Sequence, residues 1–311
     1  MNDPTANSEI IHSLLKDHKA DRRWRNIRFF GWMFILLLYA ALIFAPSPAE
    51  LGQKSSKEPY VSLVRMNGLI MPNMDFSAFR MIPQLQKAFS DKEAKGVILV
   101  INSPGGSPVQ ASIIHDKILE LKKEYKKKVV VVGEDALVSG AYLVATAGDK
   151  IYVNPDTLTG SIGVVMSGFG FTDAIKKLGV TRRLFIAGEN KARLDPFEPL
   201  KPSDTEKINT VLTQVHRNFI NSVVADRGPR LRGDQQEIFS GDFWTGEEAV
   251  SLGIADGTSN LWTVLQEEFA AKHYRDYTKK ATFIDSLFHT ANTALHLHLM
   301  DDIAPLREQA Y

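Results

Sequence analysis

Gly96-Val97-Ile98-Leu99-Val100-Ile101, followed at once by Asn102-Ser103-Pro104-Gly105-Gly106-Ser107-Pro108, is the stretch on which the fold turns. The first six residues carry no polar side chain. They predict a strand covered on both faces, the kind found in parallel sheets flanked by helices. The run breaks at a Pro- and Gly-rich turn. A helix follows to about residue 127, with Ile113, Ile114, Ile118 and Leu121 on its inner face. VVVVG (residues 129–133) predicts a second buried strand, SGAYLVATA (139–147) a short apolar helix, and residues 150–153 a short strand.

Working outward, YVSLVRMNGLI (60–70) is strand-like and rich in β-branched residues. Residues 77–90 show helical spacing of Phe79, Ile82, Leu85 and Phe89. Residues 182–187 are strand-like. Residues 204–227 predict a long amphipathic helix with a stripe of Ile208, Val211, Leu212, Val215 and Phe219. Residues 249–252 and 261–269 predict shorter helices. Strands alternating with helices in this order argue for an α/β fold with a largely parallel sheet.

Before this domain stands FFGWMFILLLYAALIFA, residues 29–45, which is 17 residues without a charge. As a helix it would span roughly 25 Å, enough for a bilayer core when the flanks assist. Trp24 and Trp32 suit the interface, and Arg25 and Arg28 can snorkel. Lys16, Lys19, Arg22, Arg23, Arg25 and Arg28 precede the run, whereas only Lys54 and Lys57 follow closely. The positive-inside rule then puts residues 1–28 in the cytoplasm and the bulk of the chain outside, which in a bacterium is the cell envelope. A cleaved signal peptide is the rival reading, but Ala45-Pro46 makes a poor cleavage site. A buried core helix fits less well, because the run is apolar all round and basic on one flank. The expected organisation is a cytoplasmic segment (1–28), a transmembrane helix (29–45), a linker (46–59), a catalytic domain (60–282) and a C-terminal tail (283–311).

The chain of 311 residues has 37 basic and 36 acidic side chains and a net charge of +1, which makes no electrostatic case for nucleic acid. It has no cysteine, so thiolate catalysis, disulfides and Cys-based zinc sites are excluded. A cysteine-free chain also fits an oxidising compartment. There is no G-x-S-x-G elbow, no H-E-x-x-H and no P-loop. His115 and His216 fall on predicted helices and read as surface or internally satisfied positions, so a Ser-His-Asp triad has no local support.

Two features invite chemistry. The glycines at Gly105-Gly106 allow backbone N–H groups to face open space, where they could hold an oxyanion. Ser139 opens an apolar helix just past a buried strand, where helix amides converge. Each has a plain alternative: most such turns are only turns, and Ser139 could be an N-cap.

The ordered set of Asn102-Ser103-Pro104-Gly105-Gly106, Val138-Ser139-Gly140-Ala141-Tyr142, Ala147-Gly148-Asp149-Lys150-Ile151-Tyr152-Val153-Asn154-Pro155 and Thr159-Gly160-Ser161-Ile162-Gly163-Val164 resembles the signal peptide peptidase A family of bacterial membrane serine proteases. Phe243-Trp244-Thr245-Gly246-Glu247-Glu248-Ala249 and Leu252-Gly253-Ile254-Ala255-Asp256-Gly257 extend the likeness to roughly residues 60–270. The resemblance implies a Clp-protease/crotonase-like fold of repeated β-β-α units and cleavage of remnant signal peptides without a metal or organic cofactor. It implies Ser139 as nucleophile and Lys191 as general base. Ser161 would hold the lysine amine, and the N–H groups of Gly106 (or Gly105) and Gly140 would form the oxyanion hole. It further implies a ring-like homo-oligomer in which neighbouring subunits complete the sites. The sequence departs from the family pattern at Ala141, where a second glycine is common, at Val138, where a smaller residue is usual, and around Lys191. The chemistry requires a desolvated Lys191 amine near Ser139 and Ser161, free of Glu189 and Asp195. A catalytically inactive, protease-like scaffold and an acyl-CoA enzyme of the crotonase type are the competing functions.

Overall fold

A computed structural model describes residue 24, residues 26–39 and residues 58–279. The chain divides into two units, Met1–Lys57 and Glu58–Tyr311. In the first, residues 24 and 26–39 are helical. Among the described residues no helix is long and apolar enough to cross a membrane. Residues 40–45 of the expected span, and residues 283–311 of the expected tail, lie outside the described residues.

The second unit is an α/β layer structure. Eight strands form one sheet: β1 (Tyr60–Asn67), β2 (Gly96–Ser103), β3 (Lys128–Val138), β4 (Lys150–Val153), β5 (Leu158–Gly160), β6 (Phe243–Trp244), β7 (Gly257–Thr258) and β8 (His273–Asp276). The central order is β6-β5-β3-β2-β1-β8, with β4 also on β3 and β7 on β4. All pairs are parallel except β5 with β6. Parallel neighbours need crossovers, and helices supply them. They are α1 (Ala78–Ser90), α2 (Pro108–Tyr125), α3 (Gly140–Thr146), α4 (Thr172–Lys177), α5 (Pro202–Arg227), α6 (Gln235–Ile238), α7 (Gly246–Ser251) and α8 (Leu261–Phe269).

The apolar run of β2 is buried on both faces, as its composition predicts. Val97, Leu99 and Ile101 join the larger core with Leu85, Phe89, Ile114, Ile118 and Tyr142. Ile98 and Val100 join the smaller one with Val264, Leu265 and Phe269 of α8. Alternating Cβ directions along a strand explain the division. β3 is long because it serves two partners in turn. Val130–Gly133 pairs with β4, and Ala136–Val138 pairs with β5.

Several helix faces depart from expectation. Phe79 is 88% exposed, and Met81 and Ala88 take its place beside Leu85 and Phe89 in the core. Ile113 is exposed while Ile114, Ile118 and Leu121 are buried. In α5 the buried side chains are Asp204, Phe219, Val223 and Arg227, not the full Ile208-to-Phe219 stripe. Residues 182–187 form no strand. Between Gly163 and Lys201 the chain is irregular apart from α4, and no residue is buried. This arm exposes Val165, Phe169, Leu178, Phe185 and Leu200.

α5 is nonetheless tied firmly to the body at its C-terminal end. The buried Arg227 guanidinium donates to Gly253 O and to Asp256. Asp226 accepts from Thr146 Oγ1 of α3 (2.8 Å) and lies 2.7 Å from Nε2 of buried His115 on α2. Asp116 contacts the other ring nitrogen. Burial alone would lower the His115 pKa, but hydrogen bonds to Asp226 and Asp116 more than offset this and raise it. The imidazolium is therefore favoured by folding. Its contribution is complete below the ordinary histidine value of about 6.5 and fades as pH rises through the raised folded value. His115→Gln should cost about 1–3 kcal/mol in urea unfolding at pH 5.5 and measurably less at pH 9; an equal cost at both would contradict this account.

Candidate active site

Three chain crossings meet at the C-terminal ends of β2, β3 and β5. At the first, the β2–β3 register shifts between Ile101 and Ser103, and the chain leaves the sheet. Buried Ser103 accepts the Gly105 N–H at Oγ (3.1 Å). Gly105 O accepts from Ile70 N, and Ile70 O accepts from Ser107 N. These bonds sew the turn to the segment after β1. The Gly106 N–H donates to nothing among the described residues.

At the second crossing β3 ends and α3 begins. Ser139 sits at φ 56°, ψ −128°, with its N–H on Gly160 O at 2.8 Å. An N-cap serine is typically extended and accepts an amide from the next turn. Ser139 does neither, since its side chain makes no capping bond. A non-glycine residue held there is strained by about 1–3 kcal/mol and persists only because its surroundings overdetermine it. The surroundings are close. A Cβ on Gly105 would lie 2.7 Å from Ser139 Cβ and 2.9 Å from Gly140 N. A Cβ on Gly106 would lie 2.2 Å from Ile70 O. Both glycines also have positive φ, +90° and +143°. Only glycine lets this turn approach the serine. A Cβ on Gly140 would lie 3.6 Å from Gly106 N, so the two residues are neighbours, and Gly140 N–H likewise has no partner among the described residues. The Gly105 amide, by contrast, is spent on Ser103 Oγ.

At the third crossing Val138 pairs with Gly160, so Ser139 and Ser161 leave adjacent strand ends. Ser161 also has positive φ, 49°. Its N–H bonds Asp242 O (2.7 Å), and its own carbonyl accepts from Gly163. The next carbonyl, Ile162 O, accepts from His216 Nε2 of α5 at 2.8 Å. The sequence offers no signal for Asp242 or Ile70 here, because both act through backbone atoms.

The fold thus gathers Ser139, Gly105, Gly106, Gly140 and Ser161. It does not bring Lys191 among them. Lys191 is exposed on the arm and makes no side-chain hydrogen bond or ion pair among the described residues. It borders an open hollow of about 440 Å³ with Arg182, Leu184, Arg193 and Phe197, all residues of the arm itself. Asp195, one of the two carboxylates that could have paired with Lys191, is engaged by Arg182 instead. The Phe197 N–H and then the Arg182 guanidinium hold its carboxyl below the usual range.

The family model of peptidase family S49 matches residues 121–274, and that of Clp protease matches residues 54–167. A protein of Enterococcus faecium named for signal peptide peptidase SppA is 32% identical over 177 residues, covering 56% of this chain and 50% of that protein. Protease 4 of Haemophilus influenzae is 28% identical over 219 residues, 70% of this chain and 35% of its own length. A Na(+)/H(+) antiporter NhaA of Brucella melitensis is 42% identical over 222 residues, 69% of this chain but 30% of the antiporter. The chain thus spans between about a third and a half of these relatives. An α/β sheet of this order, together with the Clp protease match, defines a Clp-protease-like domain. The chain belongs to the signal peptide peptidase A family, peptidase family S49.

Gly106→Ala would push the turn off Ile70 and move the free amide. It should lower peptide-hydrolysis kcat by about 10²–10³, the usual cost of one oxyanion donor, with helix content by circular dichroism retained. Unchanged kcat would remove Gly106 from the site.

Proposed function

We propose that this chain is a membrane-anchored serine endopeptidase that cleaves apolar peptides, remnant signal peptides foremost, by acyl transfer. The observation that carries the reading is Ser139, held at positive φ against two amides, those of Gly106 and Gly140, that have no partner among the described residues. Ser139 Oγ attacks the scissile carbonyl carbon, and its proton passes to the neutral Lys191 amine. The carbonyl oxygen becomes an oxyanion between the Gly106 and Gly140 N–H groups. As the C–N bond breaks, the lysine ammonium returns the proton to the leaving amine. Water then gives a proton to the neutral Lys191 amine and attacks the ester carbon, and as the C–Oγ bond breaks the lysine ammonium returns that proton to Ser139 Oγ. Ser161 holds the amine in place.

An exposed lysine, with an ordinary pKa of about 10.4, is a poor base near neutrality. Burial disfavours the ammonium and would correct this. Among the described residues of one chain Lys191 has no such cover, and the arm that carries it leaves Val165, Phe169 and Phe185 exposed. Both features support a homo-oligomer in which the arm packs on a neighbouring copy and delivers Lys191 to that copy's Ser139. An inactive scaffold would also leave Lys191 exposed, so the two readings call for one decisive experiment.

Ser139→Ala and Lys191→Ala should each reduce hydrolysis of an unstructured apolar peptide by at least about 10³-fold. Subunits of the two mutants, mixed and reassembled, should regain activity, because one supplies the serine and the other the lysine. Wild-type rates in either single mutant would sink the dyad. No recovery in verified mixed oligomers would place the base within one chain.

The anchor is residues 29–45, which would hold the N-terminus in the cytoplasm of a bacterium and the protease domain on the outer side of the inner membrane. A chain beginning at residue 46 should leave the membrane fraction after lysis; retention there would contradict a sole N-terminal anchor.

A further inference from the structure

His216 belongs to none of the groups that carry the proposed chemistry, yet it touches the site at one defined point. Its Nε2 lies 2.8 Å from Ile162 O. A carbonyl can only accept, so Nε2 carries the proton and donates. Ile162 is fully buried and follows Ser161 directly. The strained Ser161 backbone therefore has three tethers: Asp242 O on its N–H, Gly163 N–H on its carbonyl, and His216 on the next carbonyl. The first two come from backbone atoms. His216 supplies the side-chain tether.

The helix behind His216 makes the contact informative. From Thr205 to Val215 no side chain of α5 is buried. Phe219, Val223 and Arg227 then enter the core, and Asp226 holds Thr146 on the helix that starts just after Ser139. The arm that bears Lys191 leaves the body at Gly163 and returns at the start of α5. His216 thus joins the point of departure to the helix of return. It does so on the same scaffold that fixes α3 and Ser139.

We propose that His216 is a positioning residue. By donating to Ile162 O it sets the Ser161 hydroxyl relative to Ser139. This inference rests on the reading of Ser139 and Ser161 given above. It assigns no proton transfer to the imidazole.

The test compares His216→Leu, His216→Gln, Ser161→Ala and the double variant His216→Leu/Ser161→Ala, each checked for an unchanged Tm. The readouts are kcat and KM on an apolar peptide and the rate at which a fluorophosphonate probe labels Ser139. Displacing a catalytic group by about 1 Å can cost about 10²-fold in rate. His216→Leu should therefore lower kcat and the labelling rate by about 10- to 100-fold, with KM within about two-fold of wild type. Glutamine, whose amide can donate from a similar reach, should recover most of the loss. In the Ser161→Ala background the leucine change should cost less than about three-fold, since coupled residues are not additive. An unchanged kcat in His216→Leu, alongside an inactive Ser139→Ala control, would overturn the positioning role alone. So would a loss that glutamine fails to rescue, or one of equal size in the Ser161→Ala background. A fully active Ser139→Ala enzyme would overturn the site reading and this inference with it.

Discussion

Everything in the site follows from the approach of a glycine turn to a strained serine. Ser139 can hold φ 56° only while β5 fixes its N–H and the Gly105–Gly106 turn presses on its Cβ. That turn can press only because it has no side chain and because Ile70 clamps it on both sides of Gly106. The result is a serine at the C-terminal end of β3 beside two amides that have nothing to donate to among the described residues. In a folded protein, amides without partners are uncommon, and at an active site they mark where charge develops.

The sheet supplies the rigidity this arrangement needs. β3 changes partner halfway along, from β4 to β5, so its last residues are paired with the strand that leads into Ser161. Two serines on adjacent strand ends are then a consequence of register. α3 is buried along its whole length, and Tyr142 donates to Ile254 O, so Ser139 has little freedom to relax. His115, Thr146 and Asp226 lock α2, α3 and α5 together, and Arg227 ties the end of α5 to Gly253 and Asp256.

The central strands were legible in the sequence because their apolar runs admit no other solution, and residues 150–153 and 261–269 emerge with the bounds read from composition. Periodicity was less reliable for helix faces. Phe79 fits a helical stripe but points to solvent while Met81 is buried, and of the two neighbours Ile113 and Ile114 only Ile114 is buried. The β-branched and aromatic content of residues 182–187 suggested a strand, but no neighbouring edge pairs with it. Ser139 alone was ambiguous between cap and nucleophile; backbone strain, invisible in a sequence, sets it apart from an ordinary cap. Lys191 came only from resemblance, and it lies on an arm that buries no residue among the described residues.

The account's central claim is that Ser139 is the activated nucleophile. It is tested most directly by exposing the membrane-extracted full chain to a fluorophosphonate probe and mapping the adduct by peptide mass spectrometry. The account predicts one adduct, on Ser139, formed far more slowly when Lys191 is replaced by alanine. An adduct on another residue, or labelling of Ser139 that is indifferent to Lys191, would contradict it.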